Sequence, residues 1–264
     1  GRQDVTALAN QVPSLQVNQY SPTITVFNLR GVSQNDFADS QEAPIAFYND
    51  EVYVGALGAI SGQTFDLERI EVLRGPQGTL FGRNATGGLV QIVTAKPTKD
   101  LQGYGTITIG SHGQIASEAA ISGPLSDSFR ARLSFSSNAH DGYIRNRIGR
   151  DLGNSRFYAG RLQLQGDIGA TGDLLVKFEL LRNDHETSGG IYSFAAAGFD
   201  ADGLGFRLAP NQDFYGTGPG ANAFGYKEPD EDPFIGSYDY NGFFNRTYWS
   251  MGARYSQKIG AIDL

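Results

Sequence analysis

A glycine-rich run from Glu71 to Gly88 holds the residue types in this chain best suited to chemistry: Gly75, Gly78, Gly82, Gly87 and Gly88 interleaved with Arg74, Arg83 and Asn84. Glycine there permits a positive φ or a close approach of the backbone to an anion. A phosphate cradle would need the closing Lys-Ser/Thr of a P-loop and a helix whose N-terminus faces the anion, and neither follows. A dinucleotide fingerprint fails for the same reason. No Gly-x-Ser-x-Gly elbow is present, and His112, His140 and His185 fall at strand ends or in loops. Cysteine is absent, which removes thiol chemistry and Cys-ligated zinc. Glu228, Asp230, Glu231 and Asp232 are broken by Pro229 and Pro233 and lack EF-hand spacing, so they read as a solvated acidic turn. Asn84-Ala85-Thr86 fits a glycosylation acceptor. No enzyme, cofactor or metal site is therefore expected from these motifs.

The elements that position this run change character near Ala95-Lys96-Pro97-Thr98. Before it, Val5 to Asn10 reads as a helix ending at Pro13, and Thr23 to Leu29 and Ile45 to Val54 read as strands. Thr64 to Val72 reads as a short helix leading into a strand, and Leu89 to Thr94 as a last strand of β-branched residues. After Pro97 the pattern becomes a series of strands of about 9–11 residues, the length a tilted membrane strand needs. Phe129, Ala131, Leu133 and Phe135 alternate with Arg130, Arg132, Ser134 and Ser136. Leu162 and Leu164 alternate with Arg161, Gln163 and Gln165; Val176 and Phe178 with Lys177 and Glu179; Trp249 and Met251 with Ser250 and Gly252. The apolar set is expected to face lipid, with Arg130, Arg132, Lys177 and Glu179 turned inward.

A soluble β-sandwich has the same period. Loop lengths favour the membrane barrel over the sandwich, both readings standing on spacing alone: short connections at Gly123 to Ser128 and Asp167 to Asp173 alternate with Asn138 to Ser155 and the very long Asn183 to Arg246, as in an outer-membrane barrel. The short turn at Ser111-His112-Gly113 departs from that rule. A formal net charge of -7 argues against nucleic acid as a partner.

Taken together, Glu71-Val-Leu-Arg-Gly-Pro76, then Leu80-Phe-Gly-Arg-Asn-Ala-Thr-Gly-Gly88, then a strand running to Lys96-Pro97, resemble the plug signature of TonB-dependent outer-membrane receptors. Val12 to Val17, Asn28 to Val32 and Pro44 to Tyr53 resemble the same plug in its usual order. The resemblance implies a mixed fold. A small α+β plug domain, residues 1–97 with its N-terminal part missing, precedes the antiparallel strands of a transmembrane β-barrel. That barrel portion, residues 98–264 with the long extracellular loop 183–246, is incomplete at about six strands of roughly 22. The box that contacts TonB is missing, and Gly1-Arg2-Gln3-Asp4 carries no signal segment, so the chain is expected to begin inside a longer protein.

The resemblance further implies a location in the bacterial outer membrane and active uptake of a scarce large solute, most often an iron–siderophore complex, powered by TonB. A carbohydrate, cobalamin or an aromatic compound is the alternative substrate within the family. Outside it, a soluble β-rich carbohydrate-binding or adhesin module would explain the loops but not Leu73-Arg74-Gly75-Pro76 followed by Gly82-Arg83-Asn84. By the same resemblance the plug's upward apices meet the substrate, which nominates Phe81, Arg83, Asn84, Gln34, Asp36, Val54 and Gly55. Arg30, Glu71 and Arg74 are expected at contacts between plug and barrel, since charges beside a buried turn need partners. Aromatics of the long loop, Tyr192, Phe214, Tyr226 and Tyr240 among them, read either as a wall over the substrate or as a self-packed loop.

Overall fold

The computed structural model describes residues 9, 12–21, 24–34, 42–55, 57–60, 63–82, 84–185, 232, 234–238, 242–259 and 262–263. The readings at Val5 to Asn10, apart from Ala9, and over most of the loop 183–246 lie outside the described residues.

β1 (Leu15–Ser21) and β2 (Ile24–Leu29) form an antiparallel pair. A second, four-stranded sheet is built from β3 (Ile45–Asn49), β4 (Val52–Tyr53), β5 (Leu67–Arg74) and β6 (Gly88–Thr94), in the order β4-β3-β6-β5. β3 and β6 run parallel in its centre, and every residue of both is buried. Strands covered on both faces need continuous apolar runs rather than alternation, which Ile45-Ala-Phe and Leu89-Val-Gln-Ile-Val supply. Leu15, Phe27, Leu29, Ile45, Phe47, Ile60, Val90 and Ile92 make the core that joins the two sheets, with Phe27 stacked on Phe47.

Two expectations are corrected here. Ile45 to Val54 is a tight hairpin rather than one strand. Asp50 and Glu51 both take positive φ, 47° and 72°, and Asn49 pairs with Val52. A two-residue turn of that hand matches the twist of its strands but usually recruits Asn-Gly, so Asp-Glu concealed it. The helix expected at the start of Thr64 to Val72 lies upstream, as the single turn α1 (Leu57–Ile60). Gln63 to Asp66 is instead a loop, closed by Asp66 at φ 51°. A second single turn, α2 (Gly78–Phe81), sits within the glycine-rich run.

The chain then lays down β7 (Gln102–Ile109), β8 (Ile115–Pro124), β9 (Phe129–His140), β10 (Arg145–Asn146), β11 (Ser155–Ile168), β12 (Gly172–His185), β13 (Ile235–Gly236), β14 (Phe244–Ile259) and β15 (Ile262–Asp263). All but β10 and β13 form one open sheet ordered β15-β14-β12-β11-β9-β8-β7, six long strands and the beginning of a seventh. The later strands reach 14 and 16 residues, longer than a bilayer requires. The side-chain alternation runs as read. Phe129, Leu133, Leu162, Leu164, Phe178, Trp249 and Met251 are exposed on one face, while Arg132, Arg161, Gln163 and Glu179 are buried on the other.

Two compact units result. One gathers residues 1–139, 156–184 and 245–264, so the plug and the wall strands fall within one unit. The other gathers His140–Ser155 and His185–Phe244 and contains the short parallel pair β10–β13.

Candidate functional site

The glycine-rich run folds as an arch between β5 and β6. Gly75 N–H donates to Gly87 O at 3.1 Å and Gln77 N–H to Ala85 O at 2.8 Å, closing its base. Gly88 is obligatory: its φ is 143°, and a Cβ there would collide with the Leu73 carbonyl. Above the base, the arch is braced by β3 and β4. The Tyr48 hydroxyl donates to Phe81 O at 2.6 Å, and the two rings meet edge to face at 5.4 Å. Asn84, at φ 67°, donates its side-chain amide to Glu42 Oε2 at 2.7 Å and to the Tyr53 hydroxyl at 3.0 Å.

The residues nominated for substrate contact thus have distinct surroundings. Phe81 is half-buried against Tyr48, and Asn84 is tied to Glu42 and Tyr53. Val54 packs at the edge of the apolar core, with its N–H donating to Phe47 O, and Gly55 lies against the Tyr53 ring. Gln34 is buried, and among the described residues neither of its amide atoms has a hydrogen-bond partner. Arg83 and Asp36 lie outside the described residues. Of the residues expected at plug–wall contacts, Glu71 pairs with Arg69 at 2.6 Å within β5. Arg30 is exposed at a left-handed turn with its N–H on Ser14 O, and Arg74 is exposed at the end of β5. Among the described residues no hydrogen bond or ion pair joins these three to the wall strands.

The contacts that do join plug and wall come from other residues and form one polar seam. On the plug side stand the Asn49-Asp50 turn, the Gln63–Asp66 loop and the end of β6; on the wall side, alternate residues of β7 to β14. Arg161 is fully buried. It donates Nε to Glu179 Oε1 at 2.6 Å, Nη1 to Phe65 O at 2.9 Å and Nη2 to Gln63 O at 3.2 Å, with its guanidinium 4.3 Å over the Phe65 ring. Arg132 grips both carboxylate oxygens of Asp66, a bidentate pair. Tyr104 donates to Glu118 at 2.7 Å and to Asp66 at 3.2 Å, and Asp66 N–H donates to Glu118 at 3.1 Å. Lys177 spans Asn49 Oδ1 and Asp50 Oδ2, each at 2.8 Å. Asn49 Nδ2 donates to Glu179 Oε2 at 3.0 Å, and Gln163 donates to Ala95 O at 2.9 Å.

Asp50 also accepts from Thr94 N–H at 2.8 Å and from the Thr94 hydroxyl at 2.5 Å. Burial by itself would raise its pKa. The Lys177 ammonium and the Thr94 donors outweigh that and hold the carboxyl below its ordinary value. The inward alternation of Arg132, Lys177 and Glu179 was the one sequence signal for this seam. Its plug-side partners carried no comparable mark.

Residues 1–89 match the family model described as the TonB-dependent Receptor Plug Domain. The pesticin receptor of Yersinia pestis is 34% identical over 121 residues, covering 46% of this chain and 18% of the relative. The catecholate siderophore receptor Fiu of Escherichia coli K12 is 24% identical over 179 residues, 64% of this chain and 23% of the relative. Among solved structures, the ferric yersiniabactin uptake receptor FyuA of Yersinia pestis matches with a TM-score of 0.61 at 26% identity, over 69% of this chain and 29% of that one. The open form of Fiu matches in fold, with a TM-score of 0.64 at 18% identity over 97% of this chain and 34% of that one. The chain spans about a fifth of the length of the curated relatives it matches.

Proposed function

From the premise that this chain belongs, through the plug domain at residues 1–89, to the TonB-dependent receptors, we propose that its receptor imports a ferric siderophore across the bacterial outer membrane. The observation that carries this reading is a plug whose β3–β4 turn and Gln63–Asp66 loop are latched to the open strand wall by the Asp50–Lys177 and Asp66–Arg132 pairs. The apolar outer face of the wall, with Phe129, Leu133, Phe178, Trp249 and Met251 exposed, suits lipid contact. The names of the relatives, receptors for catecholate siderophores and for ferric yersiniabactin, support iron chelates over other solutes.

In this reading the chelate docks on the plug apices, on Phe81, Asn84 and their neighbours Arg83, Gln34, Asp36, Val54 and Gly55. Bond making and breaking play no part. The substrate binds one plug state better than another, and its differential affinity sets how far it shifts the balance. TonB, as the second partner, supplies the work that separates plug from wall along the polar seam.

The test is uptake of radioactive iron as a ferric catecholate or ferric hydroxamate by cells whose only such receptor is the complete protein, with and without TonB. TonB-dependent accumulation of one chelate is expected, and an Asn84→Ala variant should lower it. Accumulation indifferent to TonB would refute the mechanism. TonB-dependent growth on a carbohydrate, with no iron uptake, would replace the substrate.

A further inference from the structure

Outside the plug and wall, one polar side chain is placed with unusual specificity. Segments 140–155 and 185–244 form the second compact unit, and the alternation of long and short connections assigns both to the exterior. The first segment folds on itself: Ile144 and Leu152, both buried, exchange hydrogen bonds at 2.8 and 3.0 Å. To the second it is joined by the two-residue parallel pair β10–β13, through Arg145 N–H to Phe234 O at 2.7 Å and Arg147 N–H to Gly236 O at 2.9 Å. A pair so short adds little by itself.

Asn146 lies between these two backbone bonds and is almost wholly buried. Its Nδ2 donates to Tyr238 O at 2.8 Å, while its Oδ1 accepts from Tyr238 N–H at 3.0 Å and from Ile148 N–H at 3.2 Å. Its own N–H donates to Asp151 Oδ1 at 2.9 Å. The side-chain amide therefore satisfies both polar groups of one residue in the other segment, as a further β-rung would. Asparagine is the residue that meets this demand. Aspartate has no donor for Tyr238 O, and glutamine carries the amide one methylene too far.

We propose that Asn146 is a positioning residue that clasps segment 140–155 to the stretch 234–238. The clasp goes beyond the uptake reading. Only its consequence rests on that reading: the chelate would meet segment 140–155 and residues 234–238 already joined, with less conformational freedom to lose there on binding.

The test is amide hydrogen exchange in the complete, substrate-free receptor. Arg147 N–H reports the clasp, because its acceptor lies on the other segment; Ile144 and Leu152 N–H report the first segment alone. In Asn146→Asp, Arg147 should exchange about ten-fold faster, since the near-isosteric carboxylate faces the Tyr238 carbonyl with no donor. Unchanged exchange at Arg147 in that variant overturns the proposal. Asp151→Ala separates clasp from hairpin: it removes only the acceptor for Asn146 N–H, so it should loosen Ile144 and Leu152 and spare Arg147. If both variants expose Arg147 equally, Asn146 acts through the hairpin alone and the proposal falls. Because no substrate is present, failure here leaves the uptake reading standing, and a TonB-independent receptor would leave the clasp standing.

Discussion

Replacing Arg161 by methionine removes the cation at the centre of the plug–wall seam while keeping much of its length. Glu179, 2% exposed, would lose its shortest donor, at 2.6 Å, and keep Asn49 at 3.0 Å, Ser250 at 3.2 Å and Lys177 at 3.7 Å. Stripping one partner from a buried pair costs about 3–5 kcal/mol, because the remaining charge stays dry. The carbonyls of Phe65 and Gln63 lose their donor as well. A destabilisation of about 4 kcal/mol corresponds to roughly a thousand-fold easier opening of the Gln63–Asp66 loop. In the double variant R161M/E179Q the buried charge is gone, and the amide oxygen that replaces the carboxylate can still accept from Asn49 and Ser250. Only the bare carbonyls remain, about 1–2 kcal/mol, so the double variant should open about a hundred-fold less readily than the single one. Exchange of the Asp66 amide, which donates to Glu118 across the seam, reads this directly in the complete receptor. If R161M exchanges within about ten-fold of wild type, or if E179Q restores nothing, the seam is not held by buried-charge compensation.

Further outcomes follow from the same geometry. Asp50 has a folded-state pKa below 3.8, so its ionised form is favoured by folding. Its contribution is present at neutral pH and is lost as pH falls through that folded value. Seam opening, followed by exchange at Thr94, should hold steady from pH 7 to about 5 and rise below about 4, and Asp50→Asn should flatten that rise. Gly88→Ala should destabilise the plug by about 2 kcal/mol or more, from the strained φ and the clash with Leu73, whereas Gly78→Ala, with open space around it, should be neutral or mildly stabilising; thermal unfolding of the plug compares them. Leu133→Arg, on the exposed outer face, should cost about 2–4 kcal/mol if it lies near the bilayer midplane, measured by denaturant titration in lipid vesicles. An unaffected Leu133→Arg receptor would mean that this face does not meet lipid.

What could be read beforehand was whatever repeats locally. Period-two alternation oriented Arg132, Arg161 and Glu179 inward and Leu133, Phe178 and Trp249 outward, because side-chain facing on a strand depends only on its immediate neighbours. The glycine spacing gave away the arch, since Gly88 has a backbone that other residues adopt only under strain. The partners in the seam lie far apart in sequence: 66 residues separate Asp66 from Arg132 and 130 separate Asn49 from Glu179. Nothing local marks such a pair. Glu71 and Arg74 sit beside the glycines, yet Glu71 is answered by Arg69, two residues away, and Arg74 is exposed. Asn146 was equally silent, its partner being 92 residues on.

The chemical contrast between the plug's interior and its seam bears on how the plug could leave the wall. The plug coheres through Leu29, Ile45, Phe47, Val90 and Ile92, an apolar core made from its own strands. Against the wall it offers chiefly carboxylates, amides and backbone carbonyls, with Phe65 beside Ala159 and Leu181 as a small apolar exception. Separation along the seam admits water to both partners of each pair at once. Each bond is then exchanged for bonds to water at a net loss of about 0.5–1.5 kcal/mol, not the penalty of a charge left dry. Exposing the core would instead forfeit about 25 cal/mol for every Å² of apolar surface, with nothing returned. A pull therefore meets a surface that rehydrates one bond at a time before it threatens the core. That is why a variant leaving Glu179 buried without Arg161, its shortest donor, should disturb the plug more than its loss of a single hydrogen bond suggests.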